Sequence, residues 1–88
     1  MAGVHITAVC LETDAPDGPK VGFAVPRALG GAVVRNRMKR RLREAIRPRL
    51  ARLPARWLIV LQPRRSALEA AFQDLERDVE QLIRRCGG

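Results

Sequence analysis

Gly30-Gly31-Ala32-Val33-Val34-Arg35-Asn36-Arg37-Met38-Lys39-Arg40-Arg41-Leu42-Arg43-Glu44-Ala45-Ile46-Arg47 is the stretch around which this chain is organised. At about 100° per residue, Val34, Met38, Leu42, Ala45 and Ile46 fall on one arc roughly 120° wide, the pattern of a helix with one face on a core. Arg35, Asn36, Lys39, Arg40, Arg43 and Arg47 are expected on the opposite arc, with Glu44 as the single acid in the segment. Like charges at helical spacing repel one another, and anions relieve that repulsion. A polyphosphate suits such a ridge, because each phosphate it neutralises also releases counterions.

The chain has 88 residues, enough for one domain with a modest core. Its formal net charge of +8 points to an anionic partner, nucleic acid before membrane. The charge lies inside a periodic segment rather than in a tail. Membrane binding by a basic amphipathic helix needs bulky apolar residues free for insertion, and the narrow apolar arc is better spent on the core. No apolar run approaches the ~18 residues of a membrane span, and no charged N-terminal region precedes an apolar block. The chain is therefore read as cytoplasmic. Its two cysteines, Cys10 and Cys86, have no metal-ligand spacing and are read by default as free, partly buried thiols, with a disulfide left open as the alternative.

The flanking segments complete an α+β pattern. Val4 to Leu11 is β-prone, with Val4, Ile6, Ala8 and Cys10 on one side and His5, Thr7, Val9 and Leu11 on the other. Both sides are largely apolar, so both are expected to be covered. Glu12 to Pro19 carries Asp, Gly and Pro and reads as a hairpin connection to a second strand, Lys20 to Val25. Pro26 ends that strand, Gly30-Gly31 turns into the basic helix, and Pro48 marks its last turn. Arg49, Arg52 and Arg56 carry the charge into the next loop. Trp57-Leu58-Ile59-Val60-Leu61 lacks alternation, which suits a strand buried on both faces. Strand, helix, strand in this order implies a parallel βαβ unit. Ser66-Ala67-Leu68-Glu69 reads as a capping box for a final amphipathic helix bearing Leu68, Ala71, Phe72, Leu75, Val79, Leu82 and Ile83. Its acids, Asp74, Glu76, Asp78 and Glu80, are expected on the solvated side, and Gly87-Gly88 ends it.

An autonomous nuclease needs a general acid and base, or carboxylates placed to hold metal. The only histidine is His5, and no zinc spacing, nucleotide-binding loop or nucleophile elbow is present. The chain reads as a protein whose partner carries any reaction, with no catalytic residue and no metal motif of its own.

The run from Ala32 to Glu44 resembles the signature helix of the bacterial ribonuclease P protein component. That family carries Arg-Asn-Arg, any residue, Lys-Arg, two residues, Arg, which here are Arg35, Asn36, Arg37, Lys39, Arg40 and Arg43. The resemblance implies a protein subunit that binds the catalytic ribonuclease P RNA and the 5′ leader of precursor tRNA. Mg2+ would act through the RNA, and neither a membrane nor a small-molecule substrate is expected. It implies that Arg35, Arg37, Lys39, Arg40 and Arg43 meet RNA backbone, with Arg41 and Arg47 beside them. Asn36, which both donates and accepts hydrogen bonds, would sense base or sugar. The leader cleft would take Val9, Phe23, Val25 and Arg27. The implied fold is a small α/β sandwich like the second domain of ribosomal protein S5. With the hairpin, the βαβ unit and the C-terminal helix packed on the sheet read from the residues above, the resemblance adds a left-handed crossover to the βαβ unit. The family's usual N-terminal helix, which walls one side of the cleft, has no counterpart ahead of the first strand. The whole chain is read as one RNA-binding domain. The competing reading is a structural RNA-binding module of ribosomal-protein type, unconnected with tRNA processing.

Overall fold

In the computed structural model, which describes residues 2–13, 18–53 and 55–85, the strands are β1 (Ile6–Glu12), β2 (Lys20–Phe23) and β3 (Trp57–Pro63). The helices are α1 (Ala32–Ile46) and α2 (Phe72–Arg85), with short 3₁₀ turns at Arg27–Leu29, Arg47–Arg52 and Arg65–Leu68. The sheet order is β1-β3-β2. β3 runs antiparallel to β1 and parallel to β2, so the expected βαβ unit is present. The expected hairpin is not. β3, the most continuously apolar strand, takes the centre and pairs on both edges, separating β1 from β2. The Asp- and Pro-containing connection permitted a tight turn without requiring one, and its residues 14–17 lie outside the described residues.

Side chains alternate across the sheet. Ile6, Ala8, Ile59 and Leu61 are buried with the helices on one face. Register sets Val9 opposite Val60, and Val60 beside Gly22. These residues, with Thr7, Leu11, Leu58 and Gln62, form the other face, where Val9 is 55% and Leu11 50% exposed. The expectation that β1 and β3 are covered on both sides therefore fails. In a two-layer domain of this size both helices lie on one side of the sheet, and the short apolar run of β3 is half-buried on its outer positions.

α1 is anchored by Met38, Leu42, Ala45 and Ile46, each at most 2% exposed. Full burial of Met, Leu or Ile contributes roughly 1.5–3 kcal/mol apiece, which fixes the rotation of the helix about its axis. Val34, expected in the same arc, is partly exposed at the first turn. It packs instead on Gly30, whose φ of +149° and 3.0 Å distance from a built Cβ to the Val34 side chain leave room only for glycine. The helix ends at Ile46 and the chain tightens into the 3₁₀ turn containing Pro48, as Pro48 predicted.

α2 begins later than Ser66. Residues Arg65–Leu68 form a 3₁₀ turn with no side-chain cap. The Ser66 hydroxyl lies 2.9 Å from His5 Nδ1 instead of capping a helix. What holds this turn is Arg41, whose guanidinium donates to the carbonyls of Ala67 (3.2 Å) and Ala70 (2.5 Å). These carbonyls, at the end of a broken turn, would otherwise lack partners. Phe72, placed in the apolar stripe by spacing, is 38% exposed. Asp78, expected in solvent, is 3% exposed. It accepts backbone N–H bonds from Val4, His5 and Ile6 at 3.0, 2.6 and 2.9 Å, tying the start of β1 to α2. Cys10 is disulfide-bonded rather than a free thiol. Cys86 and Gly87-Gly88 lie outside the described residues.

Candidate nucleic-acid interface

Once the apolar arc of α1 is seated, the polar residues have no freedom of direction. Asn36, Arg37, Arg40, Arg43 and Arg47 are exposed. Arg37 and Arg40 have no carboxylate partner among the described residues, and with Val33 and Asn36 they border a shallow notch of about 270 Å3. Lys39 is half-buried at the margin. Arg35 is also half-buried, contrary to its expected place on the outer arc. The wheel explains this, since 100° steps set Arg35 between Leu42 and Ile46. Its Nε is buried without a hydrogen-bond partner among the described residues, a donor that an incoming acceptor would satisfy. Arg41 stands apart from the ridge, its guanidinium being committed to Ala67 and Ala70.

Carboxylates trim the rest of the basic surface. Arg47 pairs with Glu44 at 3.5 Å. Arg49 and Arg52, expected to extend the charge, converge on Glu80 of α2, with Arg49 Nε at 2.9 Å and Arg52 Nη1 at 2.6 Å from Oε2. Hydrogen bonds from Arg52 and then Arg49, with the added field of Arg52 and Arg84, lower the Glu80 pKa from 4.5 to about 2. A carboxyl depressed in the folded state contributes its stability above its unfolded pKa and loses it as pH falls through the folded value. Glu80→Gln is therefore expected to melt below the parent near neutral pH. The gap should narrow as pH drops from about 4.5 and close near pH 2. Thermal melts across that range check it, and a constant gap would remove Glu80 from the acid response.

The residues assigned by resemblance to a leader cleft do not share one surface. Val9 lies on the open sheet face. Phe23 and Val25 turn to the other side and pack against the core. Arg27 is exposed in the 3₁₀ turn after β2. The period of two decides this, because the row Val9–Val60–Gly22 leaves the neighbours of Gly22 on the helix side. Phe23 instead meets α1, where the Arg43 guanidinium lies 5.7 Å from its ring centre.

A cationic helix clamped beside a half-open, partly apolar sheet defines a small α+β domain that presents a basic surface. Comparison with known proteins narrows this. The Ribonuclease P family model matches residues 1–87. The ribonuclease P protein component of Acidothermus cellulolyticus is 47% identical over 84% of this chain and 61% of its own length. That of Symbiobacterium thermophilum is 45% identical over 98% of this chain and 71% of its own. The solved RNase P protein of Thermotoga maritima superposes with a TM-score of 0.86 at 25% identity, covering 100% of this chain and 83% of that one. The chain belongs to the ribonuclease P protein family. It spans about three-fifths of the first of these relatives and about seven-tenths of the second.

Proposed function

We propose that this chain acts as the protein subunit of ribonuclease P, binding the RNA subunit through α1 and assisting removal of the 5′ leader from precursor tRNA. The observation that carries this reading is the set of outward guanidinium groups at Arg37, Arg40 and Arg43, fixed in direction by the buried Met38, Leu42, Ala45 and Ile46. Such a surface stabilises an RNA fold by replacing mobile counterions with positioned charge. Asn36, in the notch beside Arg37 and Arg40, supplies both a donor and an acceptor for sugar or base edges. The N-terminus of α1 has glycine as its cap residue and no acid in its first turn, so its backbone dipole adds to the same field.

The open sheet face is the natural path for a single strand, with Val9, Leu11 and Val60 offering apolar contact and Gly22 a low point between them. Only Val9 of the four residues suggested by resemblance lies there. The chemistry belongs to the RNA with Mg2+. Among the described residues no three His, Cys, Asp or Glu gather as a metal site. No helix among the described residues is long and apolar enough to cross a membrane, and a cytoplasmic location is part of the same proposal.

Reconstitution tests the reading. The chain, a bacterial ribonuclease P RNA and end-labelled precursor tRNA are combined at Mg2+ too low for the RNA alone. Faster cleavage at the mature 5′ end is the expected result. RNA binding without faster cleavage would favour the structural-module reading instead.

A further inference from the structure

Between α1 and the edge strand β2 is a cleft of about 280 Å3 whose lining is mixed. Its apolar side is Val21, Phe23, Ile46 and Leu50, and its basic side is Arg43 and Arg47. The volume is just under the roughly 300–1,000 Å3 of typical ligand pockets, which suits one ring system better than several. A phosphate has no use for the apolar side, and a hydrocarbon has none for the guanidinium groups. A nucleotide uses both. The cleft is also continuous with the ridge, because Arg43 belongs to each.

We propose that this cleft receives a single unstacked base of the bound RNA, packed against the Phe23–Arg43 pair, with the neighbouring phosphates on Arg43 and Arg47. The proposal rests on the RNA-binding reading above and adds a base-contacting site to it. Phe23 and Arg43 already form a cation–π pair at 5.7 Å, so the flat guanidinium is held in place before RNA arrives. Bases stack on aromatic rings and on arginine planes alike, without needing a particular sequence. Glu44 pairs with Arg47 at 3.5 Å, on exposed side chains, and offsets only part of its charge. Phe23 is thus one of the few aromatic residues of the chain, two Phe and one Trp, and it sits where the cationic ridge meets an apolar wall.

The test uses a short oligoadenylate and an abasic ribose–phosphate chain of equal length, bound to the full chain and its variants at low salt. The parent is expected to prefer oligoadenylate by about fivefold or more, the lower end of a stacking contact. Phe23→Leu, which keeps most of the apolar volume, should lose that preference while the slope of log affinity against log salt stays unchanged. Arg43→Lys should do the same, because it keeps the charge and removes the plane. Phe23→Trp should retain the preference, since it keeps an aromatic face in the cleft. Should Phe23→Leu fail to fold, by its thermal melt, Arg43→Lys alone decides. Equal parent binding to both probes, or an undiminished preference in the variants, overturns the base site and leaves the ridge standing. Absence of salt-dependent binding to either probe overturns the RNA-binding reading itself.

Discussion

Asp78→Ala is expected to destabilise the domain by about 3 kcal/mol or more, since it removes a charged acceptor from several hydrogen bonds at once and leaves the donors partly buried. Its carboxylate receives the N–H groups of Val4, His5 and Ile6, and no other group among the described residues accepts them. The Ile6 N–H lies beside a side chain with no exposure, where water cannot substitute. Asp78→Asn should be much milder. An amide can keep its oxygen at the Oδ2 position, which serves His5 and Ile6, and turn its nitrogen toward the exposed Val4 end. Gly3→Ala should weaken the same junction, because a Cβ there would lie 2.8 Å from Asp78 Oδ2 and 2.9 Å from the Ile6 carbonyl. Urea unfolding of the three variants gives the ordering through the midpoint at unchanged slope. If Asp78→Ala lay within about 1 kcal/mol of the parent, the carboxylate would not be what ties β1 to α2.

Why Asp78 escaped the sequence reading is instructive about the rest. An acid on an amphipathic helix is usually solvated, and nothing local distinguishes Asp78 from Asp74 or Glu76. Only the path of the chain before β1 does, and that is a long-range fact. The same holds for the sheet. Each strand was legible from its own residues, and the parallel relation of β2 and β3 followed from the intervening helix. Which strand would sit at the centre depended on the partners of Trp57–Pro63, which period and turn residues do not record. Ser66-Ala67-Leu68-Glu69 carries the spacing of a capping box, yet Arg41 offered the nearby carbonyls a better partner and the helix starts at Phe72. The outward part of the ridge, Asn36, Arg40, Arg43 and Arg47, was readable because it needs only the helical period and four apolar anchors, and the same period applied strictly would have set Arg35 between Leu42 and Ile46. The cleft residues were not, since faces of a sheet are assigned by register between strands far apart in the chain. Arg41 was grouped with the RNA-facing arginines through the family resemblance, and its bonds to Ala67 and Ala70 depend on where the chain folds back beside α1. The charge of Arg49 and Arg52 was likewise readable, but its neutralisation by Glu80 was not.

That division of labour among the arginines gives the second large effect. Arg37→Ala with Arg40→Ala is expected to weaken binding to ribonuclease P RNA by at least about tenfold at low salt and to flatten the slope of log affinity against log salt by about 1–2 units. Both side chains are exposed and lack carboxylate partners among the described residues, so their removal costs the fold little. Both also lie outside the Phe23 cleft, so a loss here is independent of any base contact there. Arg41→Ala is the matched control. It deletes one guanidinium charge from the same helix, against two in the pair, but the group it removes is hydrogen-bonded to Ala67 and Ala70. Its expected signature is the reverse: a lower melting temperature, from two carbonyls left without a donor, and a nearly unchanged salt slope. Net charge alone predicts that each lost arginine shifts the slope equally, wherever it sits. Equal shifts per charge for Arg41 and for the Arg37–Arg40 pair would therefore mean that RNA senses a diffuse cationic surface, and that the orientation imposed by Met38, Leu42, Ala45 and Ile46 has no part in recognition.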